Sequence, residues 1–198
     1  MINAHLSDAR MWINYAEPLV RAFDADPASM TPLDRNLVSS VLAANFHTTS
    51  PGYVHIIATN MNALRTAING SLEISCRDPA ICANHPDYLG ASPYNPRAEG
   101  YSGSFTLCGA WFETGTRYLI RVSTILHETA HARVGLGSDE DHYEDVEPDV
   151  YRDLPPETAI DNPDSYAATA RQIFHRGSYG PNLVVMPGEP PRTDPDAP

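Results

Sequence analysis

The stretch Tyr118-Leu119-Ile120-Arg121-Val122-Ser123-Thr124-Ile125-Leu126-His127-Glu128-Thr129-Ala130-His131-Ala132-Arg133-Val134 reads as one helix, and its final turns carry the chemistry. The turns ahead of the histidines are apolar enough for a buried helix. A start near Thr114 or Thr116 and a stop at Gly135 and Gly137 bound it. Residues four apart lie one above the other on a helix face, so His127 and His131 can reach a single ion. Imidazole nitrogens suit zinc, which takes a compact tetrahedral set of ligands and keeps a position for water. Glu128, next to the first histidine, is placed to take a proton from that water. Ala130 keeps the ligand face uncrowded.

A third protein ligand is required, and an acidic loop follows at once: Gly137-Ser138-Asp139-Glu140-Asp141-His142-Tyr143-Glu144. Asp139, Glu140 and Asp141 are all candidates on spacing alone. Upstream, residues 71–110 hold two short β-like runs that end at Cys76 and Cys108, separated by a loop rich in Pro, Gly, Asn and Tyr. The first 70 residues read as three helices. Ser7 caps the first, with Met11, Tyr15, Leu19 and Phe23 as its apolar stripe and Pro18 as a kink. Thr31-Pro32 starts the second, with Leu33, Leu37, Val41 and Leu42 on one face. Ser50-Pro51 starts the third, carrying Val54, Ile57, Met61, Leu64 and Ile68 until Asn69-Gly70. Asn162-Pro163 opens a last helix through Ala167, Ala170 and Ile173.

The formal charge of −12 argues against nucleic acid or an anionic membrane as partner, since both need Lys/Arg clusters. No run of about 18 apolar residues is present to cross a bilayer. Three cysteines are too few for a disulfide scaffold and lack zinc-finger spacing. Either one bridge joins Cys108 to Cys76 or Cys82 in an oxidising compartment, or all three are reduced thiols.

These motifs together resemble the aspzincin metallopeptidases, the deuterolysin and peptidyl-lysine metalloendopeptidase group. That group joins His-Glu-x-x-His to a Gly-Thr-x-Asp-x-x-Tyr loop and then to an Asn-Ala-Asp-Ser-Tyr-like segment. Here the counterparts are Gly137-Ser138-Asp139-Glu140-Asp141-His142-Tyr143 and Asn162-Pro163-Asp164-Ser165-Tyr166, with Leu107-Cys108 and the following Trp111-Phe112 upstream. The resemblance runs from about Leu72 to Ile173. It implies His127, His131 and Glu140 as zinc ligands, with Asp141 the alternate, since Glu140 stands where the family has Asp. It also implies Glu128 as the general base, Tyr143 as a hydrogen-bond donor to the oxyanion, and Asp164 as a substrate-binding acid. The acid that accompanies it three residues on in lysine-specific members is Ala167 here.

The expectation is an α+β, zincin-like, mostly helical single domain over residues 1–176, with a small β-sheet beside the active-site helix. Residues 177–198 read as a Pro/Gly-rich tail. The expected activity is that of a zinc-dependent endopeptidase acting as a monomer on protein or peptide. The rivals are a toxin-like effector that cleaves cell-wall peptides or one specific protein, and a non-catalytic zinc-stabilised binding domain. The opening residues have no signal-peptide pattern, so export is expected as part of a larger protein.

Overall fold

The computed structural model describes residues 1–76, 79–84, 88–92, 94–95, 100–101, 103–137, 142–143 and 147–177. Of the tail expected from 177 onward, only Gly177 is among them.

Three helices open the chain, α1 (Ile2–Ala25), α2 (Pro32–Phe46) and α3 (Pro51–Asn69). Thr31 caps α2 by accepting the N–H of Asp34, and Pro32 and Pro51 stand at the first helical positions, where a missing N–H costs nothing. The apolar stripe expected on α3 is buried in full. The stripe expected on α1 is not. Met11 and Tyr15 are 48 % and 38 % exposed, and the buried face is Ala9, Trp12, Ile13, Ala16 and Val20. A neighbouring stripe is buried instead: α1 packs against α3, and Trp12 meets the rings of Phe174 and His175. On α2, Leu33 is likewise outside, and Val38 and Phe46 join Leu37, Val41 and Leu42 in the core. Pro18 lies inside α1, which continues on both sides of it, with Ala16 and Val20 buried. Packing of that face outweighs the one lost hydrogen bond.

The sheet follows. Strand β1 (Glu73–Ser75) is succeeded by a short helix, α4 (Pro79–Asn84), then by β2 (Gly90–Ala91). A separate two-stranded ribbon, β3 (Tyr94–Asn95) with β4 (Gly100–Tyr101), precedes β5 (Ser104–Leu107). In the main sheet β5 is central, parallel to β1 through Ile74↔Phe105 and antiparallel to β2 through Gly90↔Leu107. The two β-like runs are thus β1 and β5, while β2 lies in what reads as loop. Cys82 at α4 is bridged to Cys108 just after β5, and Cys76 is a free, exposed thiol. The N–H of Cys108 donates to the Leu89 carbonyl at 2.9 Å, which extends the β2–β5 ladder.

A one-turn helix, α5 (Gly109–Phe112), leads to α6 (Tyr118–Thr129), the site helix. Trp111 and Arg121 lock them together, each donating to the other's backbone carbonyl. The chain ends in α7 (Pro148–Arg152), α8 (Pro156–Ala159) and α9 (Pro163–Phe174). Helix α6 packs against α1 and α9 on one side and against β2 and β5 on the other. Every residue from Val122 to Thr129 is buried as a result. The molecule is a mostly helical α+β domain whose small sheet flanks one buried helix.

Candidate metal centre

Helix α6 does not end at Thr129. It widens into a π-helical turn, Ala130–Val134, in which the N–H of Gly135 reaches back five residues to the carbonyl of Ala130. Gly135 then takes a left-handed conformation, φ +81°, that only glycine adopts without strain. Wide turns of this kind are rare and concentrate at functional sites. Its effect here is concrete: the chain curls so that the carbonyl of Leu136 meets Nδ1 of His131 at 2.8 Å.

That contact fixes a tautomer. A carbonyl oxygen only accepts, so Nδ1 of His131 carries the proton and Nε2 presents its lone pair. The Nε2 atoms of His131 and His127 face each other at 3.0 Å, with both side chains buried. Two nitrogens bound to one tetrahedral zinc at about 2.0–2.1 Å stand roughly 3.4 Å apart, so the pair needs only a small separation to hold the ion. With both Nε2 lone pairs given to a metal, His127 carries its proton on Nδ1. There the carboxylate of Asp164 stands 3.8 Å away, in the first turn of α9. At that distance the contact is electrostatic rather than a hydrogen bond. The histidine pair therefore fits zinc in spacing, burial and tautomer.

Glu128 is buried beside the pair, under β2. The hydroxyl of Ser92 lies 2.7 Å from Glu128 Oε2 and 3.0 Å from the Glu128 carbonyl. Gly90 lies so close that an added Cβ would stand 2.7 Å from Oε1 and 2.8 Å from Cγ. Strand β2 thus lies against the carboxylate, and a Cβ at that position would have to displace it. Tyr143 arrives from the loop and stacks on the His127 ring, with centroids 5.3 Å apart and planes inclined by 21°.

His127, Glu128, His131, Tyr143 and Asp164 are thus gathered at one place. Glu140, its alternate Asp141, and Asp139 lie outside the described residues. Among the described residues no group of three His, Cys, Asp or Glu side chains is placed to hold a metal. Sequence reasoning missed Gly90 and Ser92, whose strand is too short to show a period. It also missed the tautomer-setting carbonyl of Leu136, which carries no side-chain signal.

No family model and no curated protein sequence matches the chain. Among solved structures, a zinc peptidase from Grifola frondosa is similar in fold. It aligns with a TM-score of 0.57 at 16 % identity, over 85 % of this chain and 91 % of that one. The fold is accordingly one that a zinc peptidase uses.

Proposed function

We propose that this chain is a zinc-dependent endopeptidase. The observation that carries the reading is the histidine pair, with Nε2 facing Nε2 at 3.0 Å and the lone pair of His131 turned inward by the Leu136 carbonyl. His127 and His131 supply two ligands and one loop carboxylate the third. Glu140 is favoured by its register with the aspzincin loop and Asp141 is the alternate. Zinc held there would supply a Lewis acid, lowering the pKa of a bound water and polarising a peptide carbonyl.

The chain's own groups supply the rest. Glu128 accepts the proton of the attacking water on its carboxylate, which Ser92 and Gly90 keep from swinging away. The Tyr143 phenol, stacked on His127 and 37 % exposed, donates to the oxyanion of the attacked carbonyl. Asp164, its carboxylate 3.8 Å from His127 and its side chain 14 % exposed, serves as the substrate-binding acid. An extended peptide matches the geometry, because β2 is an outer strand of the sheet among the described residues and lies directly over Glu128. The Cys82–Cys108 bridge favours a protein that meets an oxidising compartment.

A broad peptide library tests the chemistry. Glu128→Gln should keep zinc and lose at least about 100-fold in cleavage rate, the loss of a general base. Turnover close to the parent's on any shared peptide would remove Glu128 from the mechanism. A parent that cleaves nothing in the library would favour a zinc-stabilised binding domain.

A further inference from the structure

Both residues that cover Glu128 lie inside one covalent loop. The Cys82–Cys108 bridge closes the chain over a sequence separation of 26, and Gly90 and Ser92 fall between its ends. One end of the bridge is firm. Cys108 is 2 % exposed and directly follows β5, whose Phe105 and Leu107 are buried in the core. The other end, Cys82, is half-buried on the short helix α4, which packs against β2. The bridge therefore pins α4, and the strand that touches it, to the end of β5.

Without that pin, β2 has little to hold it in place. It is two residues long and stands at the outside of the sheet among the described residues, paired to β5 through Gly90↔Leu107 and Ala91↔Thr106. The N–H of Cys108 adds one bond to the Leu89 carbonyl at 2.9 Å, and the Leu89 side chain is partly buried against the core. A pairing this short is marginal by itself, and cutting a closed loop widens the range of the chain within it. The histidine side is built otherwise. His127 and His131 sit on a helix and π turn that pack against α1, α3 and α9, and none of those three helices carries a cysteine.

We propose that the Cys82–Cys108 bridge is a redox latch on the general base: formed, it holds β2 over Glu128, and open, it lets the strand shift. This rests on the peptidase reading above, in which Glu128 takes the proton of the attacking water. Closing the latch removes two electrons and two protons from the Cys82 and Cys108 thiols, and a disulfide oxidant takes them up as two thiols of its own. A dithiol reductant opens it. One thiolate attacks the sulfur of the more exposed Cys82, and Cys108 leaves and is protonated. The second thiolate then closes the reductant's own disulfide and releases Cys82. The chain is thus quiet in a reducing compartment and active in an oxidising one, with His127 and His131 in place in both. Cys76, a free and exposed thiol, follows the Ser75↔Thr106 pair toward the same end of β5, where it competes for Cys108 once the latch opens.

The test compares Cys76→Ser, which keeps the latch and removes the competing thiol, with the double variant Cys76→Ser, Cys82→Ala, which cannot form it. Cleavage is read on the peptide library, and amide exchange is read on metal-free protein. Opening the latch should lower kcat by about 10-fold with KM and zinc content nearly unchanged, because a reacting group is displaced and no substrate contact is lost. The Cys108 amide, bonded to Leu89, should speed up by a larger factor than the Leu126 amide inside α6. Cys76→Ser alone should match the parent. The parent itself, reduced with dithiothreitol, desalted and loaded with zinc, should show the same losses and regain the parental values on treatment with oxidised glutathione. That arm decides the matter if the double variant does not fold. Equal kcat in open and closed forms would overturn the latch. So would equal acceleration of the two amides, which would mean that the bridge stabilises the whole fold evenly. A closed form that cleaves no peptide would overturn the peptidase reading, and the two exchange rates would then decide whether the bridge holds β2.

Discussion

On one side of the site, His127 and Glu128 ride on α6 and His131 on the π turn that continues it, a helix buried throughout the last two turns of α6. On the other, Tyr143 rides on a connection gripped by one backbone carbonyl and one side-chain amide. The helix side is held by many small contacts, so no single one of them decides where the helix lies. The loop side and the cover over Glu128 depend on a few directed contacts, at Gly90, Ser92, Asp161 and Asn162. A single substitution there should move function much more than stability. Substitutions in the packed half of α6 should do the reverse, as large-to-small core changes do.

The largest effect outside the histidines and Glu128 is expected at Gly90. Gly90→Ala sets a Cβ within 2.9 Å of three Glu128 side-chain atoms, and the flexible carboxylate is what yields. Cleavage should fall by about 100-fold, the cost of displacing a reacting group by about an ångström. Zinc content and melting temperature should stay near the parent's. Zinc loss or unfolding in this variant would show that β2 supports the fold rather than the base, and the contrast between the two sides would break. Ser92→Ala is the finer probe, since it deletes a hydrogen bond to the carboxylate without any clash. About a 10-fold drop in cleavage rate, with unchanged zinc binding, is expected from loss of one bond to a charged group. Full parental activity would leave Gly90 as the whole constraint on Glu128.

How much of this was legible in the sequence follows from the same contrast. Residues four apart on a helix are neighbours by construction, so His127, Glu128 and His131 declare a site before any fold is known. The stripe on α3 was readable for the same reason. The true face of α1 was not. Two stripes of similar hydrophobicity lie next to each other there, and only the approach of α3 and α9 chooses Ala9, Trp12 and Ala16 over Met11 and Tyr15. Strand β2 is two residues long, too short for alternation, and exists because β5 lies beside it. The π turn is equally silent, since Ala130–Val134 would suit an ordinary helix end. Asn162 showed itself as a helix start, yet the direction of its amide is set by His142, twenty residues upstream. Cys108 had two possible partners, and the position of α4 selects Cys82 over Cys76.

The most direct measurement is metal content. Protein stripped with chelator, reloaded with zinc, desalted and submitted to elemental analysis should hold one zinc per chain. His131→Ala should hold far less, because it loses the ligand whose lone pair the Leu136 carbonyl turns inward. Stoichiometric zinc retained by a folded variant that carries both His127→Ala and His131→Ala would contradict the metal centre outright.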